Sequence, residues 1–161
     1  MGFDYNLYMP YLIDGHNLIP KIPGIQLDDL DDEKMLIQVL QEYCQKNARD
    51  IEVYFDHAAP GGVRAKKHGR VIAHYVSEHE SADAAIARHL QRLGKEARNW
   101  TVVTSDHQVQ SITRRARARL LSSSDFAELL IAEPRKAEQD GSPLNKNEVA
   151  EWFRLFHEGD E

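Results

Sequence analysis

The chain has 161 residues, a length that fits one globular domain, and its formal net charge is -6. This acidic balance is not typical of a protein that binds nucleic acid through its overall charge, so a polyanionic partner would need local basic clusters or bound cations. The single cysteine, Cys44, excludes a disulfide framework and a cysteine-based metal site, and its place in an apolar helical pattern indicates a core residue. No apolar run is long enough for a signal peptide or a membrane span, so we expect a soluble, cytoplasmic protein without a membrane partner.

Short β-rich runs alternate with helical patterns along most of the chain. Apolar residues at helical spacing predict helices around residues 35–43 and 82–97, and residues 108–119 predict a third, more basic helix. The predicted strands are Tyr11–Ile13, Ile51–Phe55, Val71–Val76, Trp100–Thr104 and a short one near Leu120–Leu121. Because these strands are apolar on both faces and alternate with helices, they indicate an α/β fold with a central, mainly parallel sheet flanked by helices.

The composition changes after Ile131. The stretch AEPRKAEQDGSP is polar and reads as a linker, and NKNEVAEWFRLF predicts a terminal helix with Asn145 and Glu148 as its capping box. The apolar stripe of this helix fits either docking on the domain's own core or binding of a partner, and the oligomeric state stays open. We therefore expect one domain over residues 1–131, followed by a linker and helix over residues 132–161.

Four aspartates occur at related places in the predicted α/β pattern. Asp14, Asp56 and Asp106 each follow a predicted strand, and Asp83 lies near the start of the helix after the third strand. Taken singly, each fits a helix start or a turn. In an open parallel sheet, however, the carboxyl ends of all strands lie along one edge, so these four side chains should converge there.

Convergence of carboxylates has a large electrostatic cost. Two carboxylates about 4 Å apart repel by about 4 kcal/mol at an effective dielectric constant of about 20. A helix dipole contributes less than about 1 kcal/mol and does not offset this repulsion. Such a cluster therefore either holds protons at raised pKa values or binds a hard cation, for which Mg²⁺ and Mn²⁺ suit oxygen ligands.

The motifs LIDGHN, VYFD, SADAAI and VTSD, in this order, resemble those of the YacP-like NYN domain family within the PIN-like nuclease superfamily. The resemblance runs from about Tyr11 to Leu130. It implies a three-layer, Rossmann-like PIN/NYN fold and a metal-dependent ribonuclease. Members of this branch include ribosome-associated endoribonucleases that cut messenger RNA, so RNA, and messenger RNA on the ribosome, are the partners that the resemblance implies.

The resemblance also implies roles for individual residues. Asp14, Asp83 and Asp106 match the principal catalytic and metal-binding acids, Asp56 matches a further acid that we include among the metal ligands, and Asn17 matches a supporting residue. The family often has Tyr after the DG pair, whereas this chain has His16, which leaves the substrate contact at that position open.

The hypothesis that follows is hydrolysis of RNA phosphodiester bonds by one or two Mg²⁺ or Mn²⁺ ions, which would polarise a phosphate oxygen and activate a water molecule. Ser81 and Ser105 lie beside the acids and support the site either as hydrogen-bond donors or as helix caps, and we favour caps. No histidine is assigned a catalytic role.

Two basic clusters are candidates for RNA binding in this acidic chain. The stretch HAAPGGVRAKKHGR is predicted to be a loop at the same edge of the sheet as the acids, where its charge would contact phosphates. The stretch TRRARAR lies on a predicted helix, where the alternative is a solvated helix surface. The candidate RNA-binding residues are Arg64, Lys66, Lys67, Arg70, Arg114 and Arg115.

Three other functions were weighed against a nuclease. A non-catalytic module that binds RNA or the ribosome on the same fold stays open, since only turnover separates it from the enzyme. A phospho-receiver domain is disfavoured, because the first strand lacks an acidic pair and no Lys follows the short strand near residues 120–121. A mononucleotide-binding protein is disfavoured by the absence of a glycine-rich phosphate loop.

Overall fold

The computed structural model describes residues 9–25, 31–56, 58 and 62–132. Six strands form one sheet in the order β3-β4-β2-β1-β5-β6. Neighbouring strands are parallel except for β3 and β4, which form an antiparallel hairpin at one end of the sheet. The strands are β1 Tyr11–Asp14, β2 Ile51–Phe55, β3 Ala65–His68, β4 Val71–Tyr75, β5 Thr101–Val103 and β6 Arg119–Leu121.

Within the described ranges, five α-helices connect or follow these strands. They are α1 Gly15–Leu18, α2 Asp32–Asn47, α3 Ala82–Leu93, α4 His107–Ala116 and α5 Ser123–Ala132, and short 3₁₀ segments cover Ile19–Lys21 and Gly94–Asn99. None of the helices in the described ranges is long and apolar enough to cross a membrane.

Two cores, one on each face of the sheet, give the molecule three layers. On one face, Ile13 and Val53 pack with Leu36 of α2 and Phe126 of α5. On the other face, the neighbouring strand residues pack against α3 and α4, as in the contacts among Leu12, Tyr54, Val102, Ile86 and Val109. Alternate residues of β1 and β2 thus serve opposite cores, which explains why both strands are mostly apolar.

The predicted α/β fold is confirmed, and three local predictions were wrong. The predicted loop around Lys66 and Lys67 contains strand β3, which pairs with β4. The helix predicted over residues 82–97 ends at Leu93, since Gly94 has a φ of +57° that favours glycine and breaks the helix. The basic helix ends at Ala116, and Arg119 opens β6 instead of extending the helix.

Two further predictions concern single regions. Cys44 is fully buried in the core on the α2 face, where burial raises the pKa of its thiol to about 12, so its predicted role as a core residue is confirmed. The predicted linker and terminal helix lie outside the described residues, apart from Ala132, which ends α5.

Candidate active site at the carboxyl edge of the sheet

The carboxyl ends of the parallel strands bring the predicted acids to one edge, which we call the carboxyl edge. Asp14 ends the central strand β1, and Asp56 directly follows the neighbouring strand β2. Asp106 lies between β5, the other neighbour of β1, and α4, while Asp83 lies in the first turn of α3. The four acids therefore come from the centre of the sheet and from the two helices that begin beside it.

Asp14 is the most perturbed of the four acids. It is only 7% exposed, and burial, followed by the charges of Asp83 and Asp56, raises its pKa to about 6. Asp106 contributes a smaller effect of the same sign. The pKa of Asp83 is also raised, first by burial and then by the charges of Asp106 and Asp56. The four carboxylates therefore lie close enough for their charges to affect one another.

Thr104 connects two of the acids through a fully buried hydroxyl group. Its Oγ1 donates a hydrogen bond to Asp14 Oδ2 over 3.3 Å and accepts one from the Asp106 backbone amide over 3.1 Å. The bond to Asp14 opposes part of the rise in its pKa, because it stabilises the charged carboxylate. Thr104 thereby connects the end of β1 to the start of α4 at the site.

Asp56 and Asp106 also serve the local structure. Asp106 is the N-cap of α4, and its Oδ1 accepts hydrogen bonds from the backbone amides of Gln108 and Val109. Asp56 Oδ1 accepts a hydrogen bond of 2.5 Å from the backbone amide of Ala82, the first residue of α3. Each carboxylate thus uses one oxygen to fix a helix start, which places that helix at the carboxyl edge.

The two serines predicted as caps differ. Ser81 is the N-cap of α3 and accepts a hydrogen bond from Ala84, as predicted. The cap prediction for Ser105 was wrong, because the next residue, Asp106, caps α4. Ser105 Oγ instead accepts a hydrogen bond from the backbone amide of Ser123, at the start of α5.

Asn17 holds together three separated segments. Its side-chain oxygen accepts hydrogen bonds from the Ser105 backbone amide, over 2.6 Å, and from the Ser123 hydroxyl, over 2.7 Å. Asn17, which was predicted to support the acids, therefore fixes the connection from β5 to α4. Ser123 is fully buried and was missed by sequence reasoning, since a serine in a serine-rich stretch gives no signal of a contact 106 residues away.

Gly15, the glycine of the DG pair, lies where a side chain would not fit. A Cβ atom there would come within 2.5 Å of the Phe55 ring and 3.0 Å of the Tyr54 carbonyl oxygen. Phe55 is fully buried and cannot move aside easily. The glycine therefore allows α1 to begin directly against β2 and keeps Asp14 at the strand end.

His16, the residue after Gly15, faces the start of α2. Its Nε2 lies 2.8 Å from Glu33 Oε2, and its ring packs against Phe55 at a centroid distance of 5.4 Å. The hydrogen bond to Glu33 is the main cause of a raised pKa for His16. The imidazole is thus engaged with the protein itself at this position.

The donor set at the carboxyl edge fits a hard cation in its chemistry. It consists of carboxylates, which are oxygen ligands. Asp14 is buried, and among the described residues the charges that shift its pKa are those of three other acids and of no basic group. In the present side-chain arrangement, no group of three acidic, histidine or cysteine residues in the described ranges is placed to hold a metal ion. A cation would therefore have to draw these carboxylates together.

The predicted RNA-binding residues are dispersed over the molecule. Arg64 precedes β3 at the end that pairs with His74, close to the carboxyl edge, whereas Lys66 and Lys67 lie in the middle of this outer strand. Arg70 lies at the opposite, amino edge, where it pairs with Asp50 at 2.8 Å. The expectation that the whole stretch emerges beside the acids was wrong, because β3 crosses the sheet from one edge to the other.

The second predicted cluster also lies away from the acids. Arg114 and Arg115 are in the last turn of α4, whereas Asp106 caps its first turn. A helix of 10 residues separates its ends by about 15 Å. The two arginines are thus at the amino edge.

Comparison with known proteins finds similarity in both sequence and fold. The model of the YacP-like NYN domain family matches residues 11–153. The uncharacterized protein YacP of Bacillus subtilis (strain 168) is 26% identical over 164 residues, which cover 92% of this chain and 96% of that protein. The crystal structure of a mutant of Rae1 (YacP) from Bacillus subtilis has a TM-score of 0.65 at 26% identity, and the match covers 94% of this chain and 96% of that one. A second crystal structure of Rae1 (YacP) gives the same TM-score of 0.65 at 26% identity and covers 92% of this chain and 88% of that one.

Proposed function

Because the chain belongs to the YacP-like NYN domain family, within a nuclease-like superfamily, we propose that it is a divalent-metal-dependent endoribonuclease that hydrolyses RNA phosphodiester bonds. The observation that carries the proposal is the buried carboxylate of Asp14, whose pKa is raised to about 6 by burial and by the acids around it. A group with this cost to the fold is typical of a functional site.

Each acid has a distinct part in the proposed site. Asp14 and Asp83, whose pKa values are both raised, are the principal ligands of Mg²⁺ or Mn²⁺. Asp106 and Asp56 each use one oxygen to bind backbone amides at a helix start, and their other oxygens would be directed toward the cation. When bound, the cation would polarise a phosphate oxygen and lower the pKa of a water molecule that attacks phosphorus.

The remaining residues position the substrate and the acids. Thr104 orients the Asp14 carboxylate through its hydroxyl group. Asn17 uses its oxygen to fix the β5–α4 connection, so its amide group is the donor that it directs toward a phosphate. The amino ends of α3 and α4 lie at the same edge and favour the negative charge of the substrate.

Cleavage of a labelled single-stranded RNA in the presence of Mn²⁺, Mg²⁺ or EDTA tests this proposal. We expect cation-dependent cutting by the wild type, and loss of cutting in Asp14→Asn and Asp83→Asn with folding retained. Glu96→Gln is the matched control, because it removes an exposed carboxylate from the 3₁₀ segment after α3. Cutting that persists equally in both aspartate variants would refute the assigned site.

A non-catalytic RNA-binding module on the same fold is the second candidate. It is favoured by two observations: the described side chains form no ready three-residue cation site, and two of the acids bind backbone amides at helix starts. Such a module would bind the same RNA without turnover in any divalent cation. The cleavage assay therefore distinguishes the two candidates.

We extend the proposal to messenger RNA on the ribosome as the substrate, in a cytoplasmic setting. The support is the resemblance of the chain to ribosome-associated endoribonucleases. The same cleavage assay with translating ribosomes tests this extension. Cutting of free RNA and of ribosome-bound RNA at equal rates would contradict a requirement for the ribosome.

A further inference from the structure

A groove outside the acid cluster runs between the β3–β4 hairpin and α3; we call it the α3 groove. It has a volume of about 690 Å³. Its floor includes Tyr54 and His74, and its walls carry three arginines, Arg64, Arg88 and Arg92. The groove begins at the carboxyl ends of β2 and β4, so it opens at the same edge of the sheet as the acids.

The floor is rigid and aromatic. The rings of Tyr54 and His74 are stacked at a centroid distance of 4.3 Å and an angle of 11°. His74 Nε2 is held by Glu52 Oε1 at 2.7 Å, and the Tyr54 hydroxyl is held by His89 Nδ1 at 2.8 Å. Tyr54 covers one face of the His74 ring, and 24% of the His74 side chain is exposed. This surface suits the stacking of a further planar ring.

The walls are basic in a chain that is acidic overall. Arg88 forms an ion pair with Glu80, which also lines the groove, and Arg92 lines the groove together with Tyr54. Arg64 is exposed and has no acidic partner among the described residues. Planar, fixed guanidinium groups bind phosphate oxygens well, and their placement beside an aromatic floor combines the two contacts that a nucleotide needs.

We propose that the α3 groove binds a nucleotide of single-stranded RNA that flanks the cleavage site. This inference rests on the proposed function, and besides Arg64 it assigns substrate binding to His74 and Arg88, which no sequence motif marked. The arginines hold the phosphate and the floor stacks the base. Pockets of about 300–1,000 Å³ are of the size that holds one small ligand, and the α3 groove lies within this range.

The position of the groove explains how an acidic site retains an anionic strand. The four carboxylates repel phosphates, and a bound cation offsets this repulsion only at the scissile bond. The neighbouring nucleotide then needs its own cationic contacts, which the arginines of the walls supply. Substitution of Arg64 or Arg88 leaves the hydrogen bonds of Tyr54 and His74 in the floor intact. A duplex keeps its bases stacked and paired, so it cannot place one of them on the floor.

Binding of a fluorescein-labelled oligouridylate of about ten nucleotides, measured in EDTA at several salt concentrations, tests the inference without cleavage. We expect each of Arg64→Gln and Arg88→Gln to weaken binding about fivefold and to reduce the salt slope by about 0.7, the contribution of one phosphate contact. Arg98→Gln, which removes an exposed charge from the 3₁₀ segment at the amino edge, is the matched control. Equal losses in all three variants would overturn the assignment to the groove.

Imidazole signals in NMR locate the bound strand. We expect the ring signal of His74 to shift on addition of the oligouridylate to the wild type, and to shift less in Arg64→Gln at the same concentration. A His74 signal that stays unchanged while the strand saturates the protein would overturn the inference. Equal affinity for uridine monophosphate, or for a duplex of the same length, would also overturn it, because the groove would then serve a free nucleotide or a backbone surface.

The two proposals fail in different ways. Cation-dependent cleavage with unchanged affinity in Arg64→Gln and Arg88→Gln would overturn the groove and leave the nuclease standing. Groove-dependent binding without cleavage in any divalent cation would support the groove and overturn the nuclease.

Discussion

The substitution Asp14→Asn should stabilise the cation-free protein while it abolishes cleavage. Folding raises the pKa of the Asp14 carboxyl from 3.8 to about 6, chiefly through burial and secondly through the charges of neighbouring acids. Each tenfold change in an ionisation constant corresponds to about 1.36 kcal/mol, so the charged carboxylate costs the fold about 3 kcal/mol at neutral pH. Asn has the same shape, carries no charge and can still accept the hydrogen bond from Thr104.

The gain in stability should depend on pH in one direction. Below about pH 4 the carboxyl is protonated in both the folded and the unfolded chain, so the variant and the wild type should be equally stable. Between about pH 4 and 6 the unfolded wild type releases its proton and the folded wild type does not, so wild-type stability falls as the pH rises. Above about pH 6 the difference should stay constant at about 2–3 kcal/mol in favour of Asn.

Urea unfolding in EDTA across this pH range measures the difference, with Glu96→Gln as the control that should follow the wild type throughout. Excess Mn²⁺ should then stabilise the wild type and leave Asp14→Asn unchanged, because a ligand that binds only the folded state adds to its stability. A variant that is less stable than the wild type at about pH 7.5, or a difference that does not vary with pH, would refute the assignment of Asp14 as a buried, repelled carboxylate.

Three further substitutions separate structure from chemistry at the site. Gly15→Ala should lower the free energy of unfolding by about 1–3 kcal/mol, measured in urea, because its Cβ would meet the buried Phe55 ring. Thr104→Val should raise the pKa of Asp14 further, measured by NMR titration, because it removes the hydrogen bond that favours the charged form. Asp106→Asn should keep the stability of α4 and lose cleavage, whereas Asp106→Ala should also cost about 0.5–2 kcal/mol in urea unfolding, since Asn caps a helix and Ala does not.

The fold was predictable where the signal was local and repeated. The apolar runs at Ile51–Phe55 and Val71–Val76 and the helical spacing after Met35 gave the strand and helix alternation that the structure confirms. Strand β3 was missed because all but one of its residues are exposed and polar residues dominate it, so it pairs with β4 without contributing to either core. An outer strand of this kind carries no hydrophobic pattern for sequence analysis to detect.

The site was predictable in its acids and less so in its surroundings. Position after a strand end sufficed for Asp14, Asp56 and Asp106, because parallel topology alone brings such residues to one edge. The positions of the basic residues were harder to predict. Their place along a helix, or along a strand that runs from one edge of the sheet to the other, decides which edge they reach. Arg70 and Arg114 thus fell at the amino edge, although both are close in sequence to residues at the carboxyl edge.

The four acids divide into two pairs by their effect on the fold. Asp56 and Asp106 accept backbone hydrogen bonds at helix starts, so their charges are stabilised by the same contacts that fix α3 and α4. The charges of Asp14 and Asp83 are opposed by burial and by neighbouring acids, and at Asp14 the Thr104 hydroxyl group offsets part of this cost. The largest of these costs falls on Asp14, the acid at the centre of the sheet. A cation that binds there relieves the largest single cost in the site, which is why its binding and the stability of the fold should be coupled most strongly through Asp14.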